Sequence, residues 1–138
     1  MGVNKGDPTH RQDKRSIGIE LVNVGPLRLN RAGNGLCFWA QNWTAPYCKL
    51  DQPNLYVKAD FRGEKYFAAF DPAQIESAAR LTQSLLKQFA IPTAVFQKGD
   101  ILRHQGIATH TDFRTDKYDV GPAFPWATFQ SLLKPLLP

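Results

Sequence analysis

DPAQIESAARLTQSLLKQF, residues Asp71 to Phe89, is the stretch from which the fold is read. Asp71 suits an N-cap, because a short carboxylate can accept from the unsatisfied N–H groups of a first helical turn. Pro72 fits the first helical position, where a missing N–H costs nothing. Gln74 stands three residues after Asp71 and completes a capping-box pattern. Ile75, Ala78, Ala79, Thr82, Leu85, Leu86 and Phe89 recur at helical spacing and form one apolar stripe. Ile91 and Pro92 stop the run. The spacing predicts a helix that buries this stripe in a core.

Before the helix the periodicity changes to that of strands. Leu55 to Lys58 and Lys65 to Phe70 are β-prone, with Arg62, Gly63 and Glu64 as a turn between them. Further upstream, Ser16 to Val24 (SIGIELVNV) alternates: Ile17, Ile19 and Leu21 on one side, Gly18, Glu20 and Val22 on the other. That predicts a strand. Residues 25–53 are rich in Gly, Pro and Asn and read as a long surface excursion carrying Trp39, Trp43 and Tyr47. After the helix, residues 93–105 carry no clear pattern. Gly106 to His110 (GIATH) reads as a short buried strand, and a last helix is expected near Pro125, with Trp126, Phe129 and Leu132 or Leu133 inward. Residues 1–15 read as an irregular lead-in, and residues 16–138 as one domain without internal repeats.

Composition excludes several classes. With 43% hydrophobic and 12% aromatic residues, intrinsic disorder does not suit the body of the chain. At 138 residues it is long enough to bury roughly 70% of its unfolded surface. No apolar run approaches the roughly 20 residues of a membrane span. Cys37 and Cys48 are too few for a disulfide scaffold. A single bridge suits an oxidising compartment, but two free thiols are the expectation where no secretory h-region opens the chain. The net charge of +5 permits a polyanionic partner. The basic residues are scattered, however, and no basic stripe or aromatic platform points to nucleic acid.

Two places attract chemistry. Glu20 interrupts an apolar strand beside Gly18, so its carboxylate is either solvated at an edge or paired in a cleft. His110 is followed by Asp112, Asp116, Lys117 and Asp119. An imidazole with a carboxylate from the next loop makes a partial zinc site, and an ammonium nearby can stabilise a developing oxyanion. Taken alone, a surface histidine in a polar loop explains the same residues.

The pieces RSIGIELVN, PAQIESAARLTQSLLKQFAIP, GIATHTDF, DKYDVGP and AFPW, in that order, resemble the zinc-dependent N-acetylmuramoyl-L-alanine amidases of the phage-lysozyme type, relatives of the peptidoglycan recognition proteins. The resemblance spans about Ser16 to Phe129. It implies an α/β fold, a mixed β-sheet with helices on both faces. It implies His110 (His-x-Asp) and Asp119 (Lys-x-Asp-x-Gly-Pro) as ligands of Zn2+, Lys117 as the oxyanion stabiliser, and Glu20 (Ser-Ile-Gly-Ile-Glu) as general base for the attacking water. The substrate it implies is peptidoglycan, cut at the amide between N-acetylmuramic acid and L-alanine. Trp39, Trp43 and Tyr47 would then line a groove for sugar or stem peptide, unless they are core residues.

This sequence departs from the family at two points. The family's first zinc-binding histidine comes from a strand well upstream of SIGIE, and only 15 residues precede Ser16, so an N-terminally shortened domain is expected. If another residue replaces that ligand, His10 and His104 are the available candidates. Val120 stands where the family usually has Pro. A non-catalytic peptidoglycan-binding module is therefore the alternative function. The expected location is the cytoplasm, or the cell wall as the target of a phage-encoded lysin.

Overall fold

Asp71 caps its helix through its carboxylate, which accepts from the Ala73 N–H at 2.8 Å, and α1 runs Pro72–Gln88. The computed structural model describes residues 15–40 and 46–134. Ile75, Ala78, Ala79, Thr82 and Leu86 of the expected stripe are buried, Leu85 is half-buried, and Phe89 is exposed. Gln74 does not close a capping box. Its amide instead donates to the Val22 carbonyl at 2.9 Å and ties the helix to the chain before the sheet. At the other end, the Ile91 N–H reaches the Leu86 carbonyl (2.8 Å) and the Ala90 N–H reaches that of Lys87 (3.4 Å). This is a Schellman closure, with Ala90 at φ +52° where glycine is usual.

Five strands form one sheet in the order β3-β2-β1-β5-β4: β1 (Pro26–Leu29), β2 (Gly35–Phe38), β3 (Cys48–Lys49), β4 (Tyr56–Phe61) and β5 (Glu64–Ala68). All four pairings are antiparallel. The β4–β5 hairpin falls where the sequence puts it. Arg62 (φ +50°) and Gly63 (φ +85°) both occupy the left-handed region, the signature of a tight turn that matches strand twist. Val95 and Ile107 form an isolated parallel bridge outside the named strands.

Three expectations change. Residues 25–53 are not one open excursion, because β1, β2 and β3 form within them. The Asn and Gly residues there make turns: the Asn30 carboxamide oxygen accepts from the N–H groups of Asn34 and Gly35 at 3.1 and 3.2 Å. Ser16 to Val24, by contrast, joins no ladder. Side chains satisfy the end of this segment: Asn23 donates to Ala68 and Ala69 carbonyls, accepts from Gly25, and Gln74 holds Val22. In Gly106 to His110 only Ile107 pairs, and His110 opens a four-residue helix, α2 (His110–Phe113). The Asp112 carboxylate accepts from the Thr109 N–H at 2.7 Å, which turns the chain out of extended conformation.

Two apolar clusters hold the chain. Ile75, Ala78 and Ala79 of α1 meet Phe124 and the Phe129 and Leu133 side chains of α3 (Trp126–Leu133), with Leu21, Ile107 and Val120 packed on their rim. Phe124 is the hub, edge-on to Phe70, Trp126 and Phe129 at centroid distances of 5.4, 4.6 and 5.1 Å. The second cluster lies on the sheet and joins Leu27, Leu36, Cys48 and Ala68 beneath Leu50 and Leu55. The expected α/β class holds. Both cysteines are free and buried, and burial pushes the Cys48 thiol up.

Candidate active site

The nine-residue interval from His110 to Asp119 closes on itself. His110 Nδ1 stands 2.5 Å from Asp119 Oδ2, and the two side chains are 55% and 60% exposed. Each partner is placed by the local sequence. Asp112 accepts from both the N–H and the hydroxyl of Thr109 (2.7 and 3.1 Å), and Thr109 and Thr111 share a hydroxyl contact at 2.8 Å. This fixes α2 and puts His110 at its first turn. On the other side, Gly121 adopts φ +71°, and a Cβ there would stand 2.4 Å from the Tyr118 carbonyl oxygen. Only glycine allows the chain to turn away immediately after Asp119 and Val120.

Between these ends, Arg114 forks onto Asp116 through Nε (2.9 Å) and Nη2 (2.6 Å). The guanidinium holds the Asp116 carboxyl below the ordinary carboxylate range and is itself raised. Arg62, from the β4–β5 turn, donates to the carbonyls of Thr111 (2.9 Å), Arg114 (2.7 Å) and Lys117. The Lys117 side chain makes no ion pair among the described residues.

The other expected site residues divide. Leu21, Ile107 and Val120 all rest on the α1–α3 cluster, so the segments that carry Glu20, His110 and Asp119 converge on one core. Glu20 itself is exposed and makes no hydrogen bond or ion pair among the described residues, which is the solvated arrangement. His104 is spent on structure: its Nε2 lies 3.2 and 3.1 Å from the carbonyls of Ala94 and Ile107, and its ring stands edge-on to Phe96. His10 and Trp43 lie outside the described residues.

A cleft of about 520 Å³ is lined by the chain neighbours of the pair, Thr109 and Val120, though by neither His110 nor Asp119. Ile17, Ile19 and Leu21 form one wall, Leu85 and Ile91 belong to another, and Thr109 and Val120 bring it to the residues next to His110 and Asp119. The alternation over Ser16 to Val24 therefore has its use, as three side chains facing this cleft. Trp39 and Tyr47 are about half exposed and do not line it.

A family profile described as N-acetylmuramoyl-L-alanine amidase matches residues 4–122, most of the chain. The chain belongs to that amidase family. No curated protein and no solved structure matches it. Membership makes this a peptidoglycan amidase-type domain, and no helix among the described residues is long and apolar enough to cross a membrane.

The donor set bears on the family's metal. An imidazole nitrogen and a carboxylate oxygen at one exposed point have the chemistry zinc takes. Two donors are one fewer than a catalytic zinc site ordinarily draws from protein. Among the described residues no group of three His, Cys, Asp or Glu is arranged to hold a metal. The described part thus supplies two fitting donors and leaves the third open. What sequence reading missed is Arg62, which looked like a turn residue. Its unusual place in a turn otherwise suited to Gly or Asn was the available signal.

Proposed function

We propose that this chain hydrolyses the amide joining the lactyl group of N-acetylmuramic acid to L-alanine of the peptidoglycan stem, with zinc as its cofactor. One observation carries the reading: within an amidase-family chain, His110 and Asp119 converge at 2.5 Å on the surface, and their chain neighbours Thr109 and Val120 line a cleft. His110 and Asp119 would hold zinc there, and the ion would supply a Lewis acid for the scissile carbonyl and a lowered pKa for water.

The residues of the chain do the rest. Glu20, unpaired and in water, accepts the proton of the attacking water and passes it to the departing L-alanine nitrogen as the C–N bond breaks and the C–O bond forms. Lys117 places an ammonium near the negative charge that develops on the carbonyl oxygen. The cleft, whose lining mixes apolar side chains such as Ile17, Ile19 and Leu21 with Thr82, Gln105 and Thr109, takes the stem peptide.

Purified cell walls incubated with the protein and zinc test this. Release of stem peptides with a new L-alanine amino terminus is expected. Glu20→Gln should lose turnover and keep the metal, and His110→Ala should lose both. Walls that are bound but not cut, with zinc present, would replace this reading by that of a non-catalytic binding module.

A further inference from the structure

We infer that Arg62 is a positioning residue, which sets the spacing of the reactive loop from the tip of the β4–β5 hairpin. The inference rests on the amidase reading for its catalytic consequence, but not for its geometry. Thr111, Arg114 and Lys117 lie on the loop that joins His110 to Asp119, and their carbonyls all accept from this one guanidinium. A guanidinium presents its donors in a fixed planar fork, so three carbonyls bonded to it are held at a fixed separation.

The guanidinium is itself held. It lies over the Phe61 ring at 4.9 Å, the Tyr118 hydroxyl donates to the Arg62 carbonyl at 3.2 Å, and Phe61 is edge-on to Tyr118 at 6.4 Å. The hairpin and the loop are therefore joined in both directions. The loop between α2 and Asp119 is mostly irregular, and Arg62 and Tyr118 tie it to the hairpin. Small displacements of reacting groups cost large factors in rate, so a residue that fixes the loop acts on turnover rather than on substrate affinity.

Arg62 sits at φ +50°, which glycine adopts without strain. Arg62→Gly thus removes the guanidinium while leaving the hairpin turn favourable, and Arg62→Lys keeps the charge but not the fork. Two measurements are made on each variant: the side-chain ¹⁵N spectrum of His110 in the metal-free protein, and steady-state wall hydrolysis with zinc. In Arg62→Gly the signature of an Nδ1 hydrogen-bonded to Asp119 should disappear. Its kcat should fall by about 10- to 100-fold, with KM within about twofold of wild type. Arg62→Lys should recover only part of either. A wild-type His110 spectrum together with wild-type kcat in Arg62→Gly would overturn the inference. An inert wild-type protein would count against the amidase reading alone, and the spectrum would still decide the role of Arg62.

Discussion

His110 and Asp119 are nine residues apart in the chain and 2.5 Å apart in space, and neither is buried. A pair this exposed gains little for stability, since solvent screens it and two side chains must be immobilised. Its geometry is nevertheless determined by buried or constrained groups on each side: the Thr109–Asp112 cap, the Arg62 fork and the turn at Gly121. The same structure explains why the Lys-x-Asp-x-Gly-Pro motif needs its glycine.

Gly121→Ala should damage the site from outside it. The new methyl would meet the Tyr118 carbonyl, and the backbone would be strained at φ +71°. A loss of about 1–3 kcal/mol is expected from thermal or urea unfolding, larger than for a surface Gly→Ala elsewhere. Turnover on cell walls should fall with it. An unchanged midpoint would mean that this turn relaxes freely.

Ala90→Gly should stabilise the protein. Ala90 closes α1 in the left-handed region, which costs an L-residue about 1–2 kcal/mol. Glycine removes that cost and adds about 0.5–1 kcal/mol of unfolded-chain entropy. The expected net gain is about 0.5–1 kcal/mol, read as a higher melting midpoint. A lower midpoint would show that the Ala90 methyl makes packing contacts that outweigh its strain.

Acid should loosen the loop between the two candidate ligands. Arg114 holds the Asp116 carboxyl below its ordinary value, chiefly through their side-chain hydrogen bonds. A carboxyl depressed in the folded state contributes its stability in full above the unfolded pKa, and loses it as pH falls through the native one. Carboxyl ¹³C shifts should therefore place the Asp116 midpoint below 3.8, and Arg114→Gln should move it upward. A midpoint at or above the ordinary value in the wild type would contradict the pairing.

Much of this architecture is legible from local chemistry. The Asp71 cap, the α1 stripe, the β4–β5 hairpin and α3 each depend on residues close in sequence, and each stands near its expected place. The misreadings share a cause. Ser16 to Val24 has a strand's alternation, but a ladder needs a partner at a distance, and Asn23 and Gln74 side chains take part of that role. The short strands β1 to β3 are hidden because Asn30, Gly33 and their neighbours have the chemistry of a loop, whereas they build the tight turn between β1 and β2. At the site, His110 and Asp119 were legible as a motif. The Arg62 clamp was not, since its partners are backbone carbonyls 49 to 55 residues away and carry no sequence signal.

The central claim is best tested on a defined substrate, N-acetylmuramic acid linked to a short stem peptide, incubated with the protein and zinc and analysed by mass spectrometry. The account predicts two products, the intact amino sugar with its free lactyl carboxylate and a peptide beginning with a free L-alanine amine. An uncut substrate, or cleavage within the peptide or at a glycosidic bond, would contradict it.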